Sequence, residues 1–144
     1  MVGAGRVLRQ CWLIVRSALF CGVFSPSATR TKKLIVVLCR ATLLRIFVVA
    51  AAGNDGGSSD DGLVSVPANI PRVITVGATT IAQEVWANSS MGSQYLEGGE
   101  TRDHPNQKPE VVAPGVGIIS TGSNNAWYSS AGTSDATVFV TAAL

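Results

Sequence analysis

Apolar residues in this chain fall in continuous runs rather than in strict alternation. Residues 46–52 (I-F-V-V-A-A-A) contain no polar position. That is the pattern of a central strand in a parallel sheet covered on both faces. The run closes in Gly53-Asn54-Asp55-Gly56-Gly57, residue types that accept turn geometry. A second apolar run, residues 72–78 (R-V-I-T-V-G-A), follows Pro67 and Pro71, which punctuate the loop before it. Residues 110–113 and 117–121 read as short strands parted by Pro114-Gly115, and residues 136–144 as the start of a buried helix. Residues 34–44 read as a helix, against the β-branched Val36 and Val37. Residues 79–109 are polar with little periodicity and read as long surface connections, and residues 58–62 as an exposed polar stretch. Alternating elements of this kind predict an α/β fold with a mainly parallel sheet.

Composition refines the picture. A chain of 144 residues suits one domain, and 47% apolar against 14% charged residues excludes intrinsic disorder. A net charge of +2 gives no electrostatic footprint for nucleic acid. The charge is unevenly placed, however. Arg6, Arg9, Arg16, Arg30, Lys32, Lys33, Arg40 and Arg45 precede every acidic residue, and Cys11, Cys21 and Cys39 fall in the same part. Residues 1–45 therefore stand apart as a basic, apolar leader, and residues 46–144 as the domain proper. The leader admits three readings: a signal peptide or membrane-contacting anchor, sequence joined to a disrupted gene, or a structured extension. Arg16 inside one apolar run, and Arg40 and Arg45 inside the other, oppose a membrane span, each central arginine costing roughly 2.5–3.5 kcal/mol. The cysteines show no C-x-x-C spacing, so no metal is expected there.

The candidate chemistry lies near the C-terminus. Gly132-Thr133-Ser134-Asp135-Ala136 places a serine at the start of a helix-like segment, beside free backbone N–H groups and the positive end of a helix dipole. Such a serine is either a nucleophile or simply a helix cap. The second glycine of a Gly-x-Ser-x-Gly elbow is missing, which opposes an α/β-hydrolase arrangement.

Several motifs in order narrow the choice. Val48 to Gly56 (V-V-A-A-A-G-N-D-G), Pro67 to Ala78 (P-A-N-I-P-R-V-I-T-V-G-A), Trp86 to Gly92 (W-A-N-S-S-M-G), Lys108 to Gly115 (K-P-E-V-V-A-P-G) and Tyr128 to Ser134 (Y-S-S-A-G-T-S) together resemble the C-terminal part of a subtilisin-like serine protease domain, the subtilase or peptidase S8 family. The resemblance covers about two thirds of the chain. It implies a partial three-layer α/β fold, and peptide-bond hydrolysis through an acyl-enzyme with a polypeptide as substrate. It also implies secretion, with the signal peptide left undecided. Residue by residue it implies Ser134 as nucleophile and Asn54 as oxyanion donor, with Ala51, Ala52 and Gly53 as one wall of the substrate pocket. In a subtilisin, losing that asparagine is known to cost about 100- to 1000-fold in turnover. No cofactor is expected beyond the cation that some members hold at the carbonyls equivalent to Ala68, Ile70 and Val73, so calcium is carried as a family possibility only.

The departures from the pattern matter equally. The family orders its triad Asp, His, Ser along the chain, and no Asp or His precedes Asn54 here. The single histidine, His104, lies between Asn54 and Ser134 and reads as a solvated loop residue. Asp135 stands where the family has an apolar residue after the serine, and Val138 and Phe139 replace its proline and histidine. The expectation is a serine endopeptidase by family, present here as a fragment lacking two triad members and inactive alone. The alternative is a pseudoenzyme or truncated product with a binding role or none.

Overall fold

The computed structural model describes residues 14–15, 18–21, 41, 46–56, 63–64, 66–95 and 101–144. Five strands form the main sheet, in the order β1 (Ile14–Val15), β2 (Ala18–Cys21), β3 (Phe47–Ala51), β4 (Val73–Thr79) and β7 (Val111–Pro114). β2, β3, β4 and β7 run parallel, with Val48 opposite Val73 and Val76 opposite Val111, while β1 pairs antiparallel with β2. The sheet thus reaches into the basic N-terminal segment: Ala18 sits opposite Phe47 and Cys21 opposite Ala50. Of the helix expected over residues 34–44, only Ala41 is described, in helical conformation; the rest, like residues 58–62, lies outside the described residues.

The continuous apolar run of β3 has a direct structural reason. Successive side chains point to opposite faces of a strand, and both faces are covered. Val48, Ala50 and Ala52 pack with Val64, Ala68, Ile70 and Val73 on one side. Val49 packs on the other with Val76, Ala78 and Ala136, the last belonging to helix α1 (Thr133–Ala143). Fully burying a valine is worth about 1.5–3 kcal/mol, so this two-sided packing of β3 and β4 anchors the segment that carries Asn54.

Residues 117–121 form the strand expected of them, but two antiparallel pairings were not legible. Residues 79–109, read as surface connection, contain the hairpin of β5 (Gly92–Tyr95) and β6 (Thr101–Lys108), and His104 lies on β6 rather than in a loop. β8 (Val116–Thr121) pairs antiparallel with β9 (Trp127–Ala131) through a single-turn 3-10 segment, Ser123–Asn125. Both are two-stranded sheets held by backbone pairing, which needs no apolar alternation to form. In β8 and β9 Ile119, Trp127 and Tyr128 face solvent, Trp127 being 72% exposed, while Val116 and Ile118 are half-buried.

Candidate active site

Parallel α/β sheets build their sites beyond the carboxyl ends of the strands, and this chain places Asn54 there, three residues past the end of β3. Gly53 supplies the turn, with φ of +116°, a backbone conformation cheap only for glycine. Residues 88–90 hold the turn from one side. The Ser90 N–H donates to the Gly53 carbonyl at 3.0 Å, and the Gly56 N–H to the Asn88 carbonyl at 3.0 Å. The Asp55 N–H donates to Ser90 Oγ at 3.1 Å.

Thr133 holds it from the other side. Its buried hydroxyl accepts from the Gly53 N–H at 3.1 Å and donates to Asn54 Oδ1 at 3.0 Å. The Thr133 N–H donates to the same Oδ1 at 2.9 Å. Asn54 thus caps α1 from 79 residues away, satisfying one of the orphan N–H groups at the helix start. With Oδ1 facing two donors, the amide orientation is settled: Nδ2 is the group left to donate elsewhere.

Ser134 is the second residue of α1, half-buried, in the first turn. The preceding Gly132 is extended, its N–H donating to the Gly115 carbonyl at 2.7 Å. A Cβ added at Gly132 would lie 3.4 Å from Asn54 Nδ2 and 3.7 Å from the Ser134 backbone nitrogen. The absent side chain therefore leaves an opening bordered by two donors, the Asn54 amide and the Ser134 backbone N–H. A third group borders it: Asp135 Oδ2, at 3.6 Å from the same point. The other Asp135 oxygen accepts from Ser130 Oγ at 2.9 Å, so this carboxylate is half-buried and hydrogen-bonded rather than stranded in the core.

Ala51 and Ala52 are buried and Gly53 half-buried. Their backbone groups are engaged within the protein, the Ala52 N–H donating to the Val76 carbonyl at 3.0 Å. His104 lies on the β5–β6 hairpin, a sheet separate from the one bearing Asn54. Thr133, Gly132 and Ser90 were not singled out from sequence. Their parts arise from contacts between distant segments and carry no local signal.

The carbonyls of Ala68, Ile70 and Val73 each already accept from a protein donor. Thr75 Oγ1 donates to the Ala68 carbonyl at 2.5 Å, and the Val73 N–H to that of Ile70 at 3.2 Å. Lys108 Nζ donates to the Val73 carbonyl at 2.6 Å and is paired with Glu110 Oε1. A metal ion about 4 Å from that ammonium would be repelled by about 4 kcal/mol per unit of its charge, so about 8 kcal/mol for calcium, at an effective dielectric near 20. This donor set does not fit a metal ion, and among the described residues no cluster of His, Cys, Asp or Glu suits one.

Burial holds the Lys108 ammonium below its ordinary value of 10.5, against the hydrogen bond and charge of Glu110, which pull it up. The unfolded chain therefore binds the proton more tightly than the folded one. Between the lowered folded value and 10.5, this group's contribution to stability rises with pH, and below that window it is least favourable. The expected result is a urea midpoint that climbs with alkaline pH more steeply in the native sequence than in Lys108→Met; equal slopes would refute it.

The model of the Subtilase family matches residues 22–144. A subtilisin of Bacillus pumilus is 36% identical over 115 residues, covering 80% of this chain and 37% of that protein. Subtilisin DY of Bacillus licheniformis is 37% identical over 98 residues, 68% of this chain and 31% of that one. Among solved structures, the prenylagaramide maturation protease PagA superposes with a TM-score of 0.56 at 28% identity, covering 80% of this chain and 35% of PagA. The chain thus spans about a third of the length of these relatives. No helix among the described residues is long and apolar enough to cross a membrane.

Proposed function

The chain belongs to the subtilase family, and on that premise we propose that it carries the nucleophile and oxyanion half of a serine endopeptidase centre. The observation that carries this reading is the opening at Gly132, bordered by Asn54 Nδ2 and the Ser134 backbone nitrogen. In this reading Ser134 Oγ attacks the carbonyl carbon of a peptide bond and gives up its proton to a base. The carbonyl oxygen, now an anion, sits in the opening and accepts from both donors. As the tetrahedral intermediate collapses, the base passes its proton to the departing amine and the acyl group stays on Ser134; water then adds to it, freeing the acid and restoring the serine hydroxyl. Ala51, Ala52 and Gly53 form one wall of the pocket for the substrate polypeptide, and the enzyme acts in a secreted setting.

The base is the missing part. No Asp or His precedes Asn54 in these residues, and a serine without a base stays an ordinary alcohol at neutral pH. We therefore read these 144 residues as inactive by themselves. Asp135 supports a second reading, a non-catalytic member of the family, because Oδ2 borders the same opening as the two donors. Like charges so placed oppose the oxyanion that the two donors favour.

A fluorophosphonate probe tests the inert state, since it bonds only to an activated serine. The expected outcome is labelling no faster than in Ser134→Ala. Labelling that is lost in Ser134→Ala but kept in His104→Ala would reveal a base elsewhere and overturn the reading of an inert chain.

A further inference from the structure

The turn formed by residues 66–72 delivers the chain into β4 and ends on Arg72, whose φ of 69° is left-handed and unfavourable for a side-chain-bearing residue. Such a turn persists only where surrounding contacts fix it. Ala68 and Ile70 pack against β3, and Lys108 reaches the turn's exit. Its side chain is among the largest fully buried ones, at 2% exposure, and Nζ donates to the Val73 carbonyl at 2.6 Å, one residue beyond Arg72. The same ammonium pairs with Glu110. Glu110 Oε2 in turn accepts from the Thr75 N–H at 2.8 Å, and the Glu110 N–H donates to the Thr75 carbonyl at 3.1 Å. Thr75 closes the circuit by donating to the Ala68 carbonyl. A compact positive charge thus sits on the turn's exit, neutralised by a carboxylate and delivered by the segment leading into β7.

We propose that the Lys108 ammonium is a built-in cation for this turn, doing at the Val73 carbonyl what a bound metal ion would otherwise do, so that the chain keeps its 66–73 segment without calcium. An ammonium is a compact point charge with three donors, close in function to a small cation that gathers carbonyl oxygens, and it cannot be chelated away. One observation in the same turn points the other way and sharpens the test: Asn69 Oδ1 is buried with no hydrogen-bond partner among the described residues, an oxygen a metal could use.

The test is the unfolding midpoint of the full chain, followed by tryptophan fluorescence in EDTA and in calcium chloride. The native sequence should show the same midpoint in both. A calcium-dependent rise of roughly 5–10 °C, the shift expected at about a hundredfold over a dissociation constant, would overturn the proposal, and its loss in Asn69→Ala would assign the metal to that oxygen. Lys108→Met should be less stable in EDTA and should gain a calcium response that the native chain lacks. A less stable Lys108→Met without any calcium response would also overturn the proposal, reducing Lys108 to an ordinary clamp. Should Lys108→Met not fold in either buffer, Glu110→Gln decides. It keeps the ammonium and should stay indifferent to calcium; a response with the ammonium in place would refute a built-in cation.

Discussion

Hydrolysis of a fluorogenic peptide by these 144 residues is expected to fall at least 10⁵-fold below that of a complete subtilisin, and Ser134→Ala should leave the remaining rate unchanged. In a subtilisin, losing the serine or the histidine alone costs about as much as losing all three triad members, roughly 2 × 10⁶ in turnover, because the three act as a unit. Here the Asn54 amide and the Ser134 backbone nitrogen border one opening, while the only histidine lies on a different sheet from the one that carries Asn54. What remains is electrostatic stabilisation of an anion that is seldom formed, and Asp135 Oδ2 beside the opening reduces even that. A rate that responds to Ser134→Ala would show that the serine is activated, and would remove the physical ground for reading this chain as half of a centre.

The largest stability effect is expected from Glu110→Ala, a loss of about 3 kcal/mol in urea unfolding. Two costs combine. The Lys108 ammonium, with a side chain fully buried, would lose its counter-charge. The Thr75 N–H would lose the acceptor Glu110 Oε2. Removing one partner of a buried pair costs about 3–5 kcal/mol, but Glu110 is 36% exposed, so water takes up part of that charge term and lowers its share. Glu110→Gln should lose about half as much, since it keeps an oxygen for Thr75 while discarding the charge. Against a domain stability of roughly 5–15 kcal/mol, the Ala variant should show a clearly lower midpoint; a change under about 0.5 kcal/mol, the size expected of a plain surface substitution, would mean that the clamp contributes nothing.

Both effects depend on contacts between segments far apart in the chain, and this marks where the sequence stopped being sufficient. The apolar runs over residues 46–52 and 72–78 determined the two central strands, because burial on both faces leaves a signature in the residues themselves. The turn at Gly53-Asn54 was legible in its residue types, a C-terminal helix was read from residue 136 where the structure begins it at Thr133, and the ordered motifs identified the family. The hairpin of β5 and β6 left no such signature, since its order comes from backbone pairing. Only the tertiary structure decided that Thr133 fixes the orientation of the Asn54 amide across 79 residues, that Gly132 clears the space between the donors, and that Asp135 faces it. It also decided that the cation on the turn before β4 is a lysine belonging to the chain. The physical reason is the same in each case. Periodicity and turn chemistry act between near neighbours and are written in order along the chain. A hydrogen bond between residues 54 and 133, or between residues 73 and 108, exists only once the sheet has brought them together.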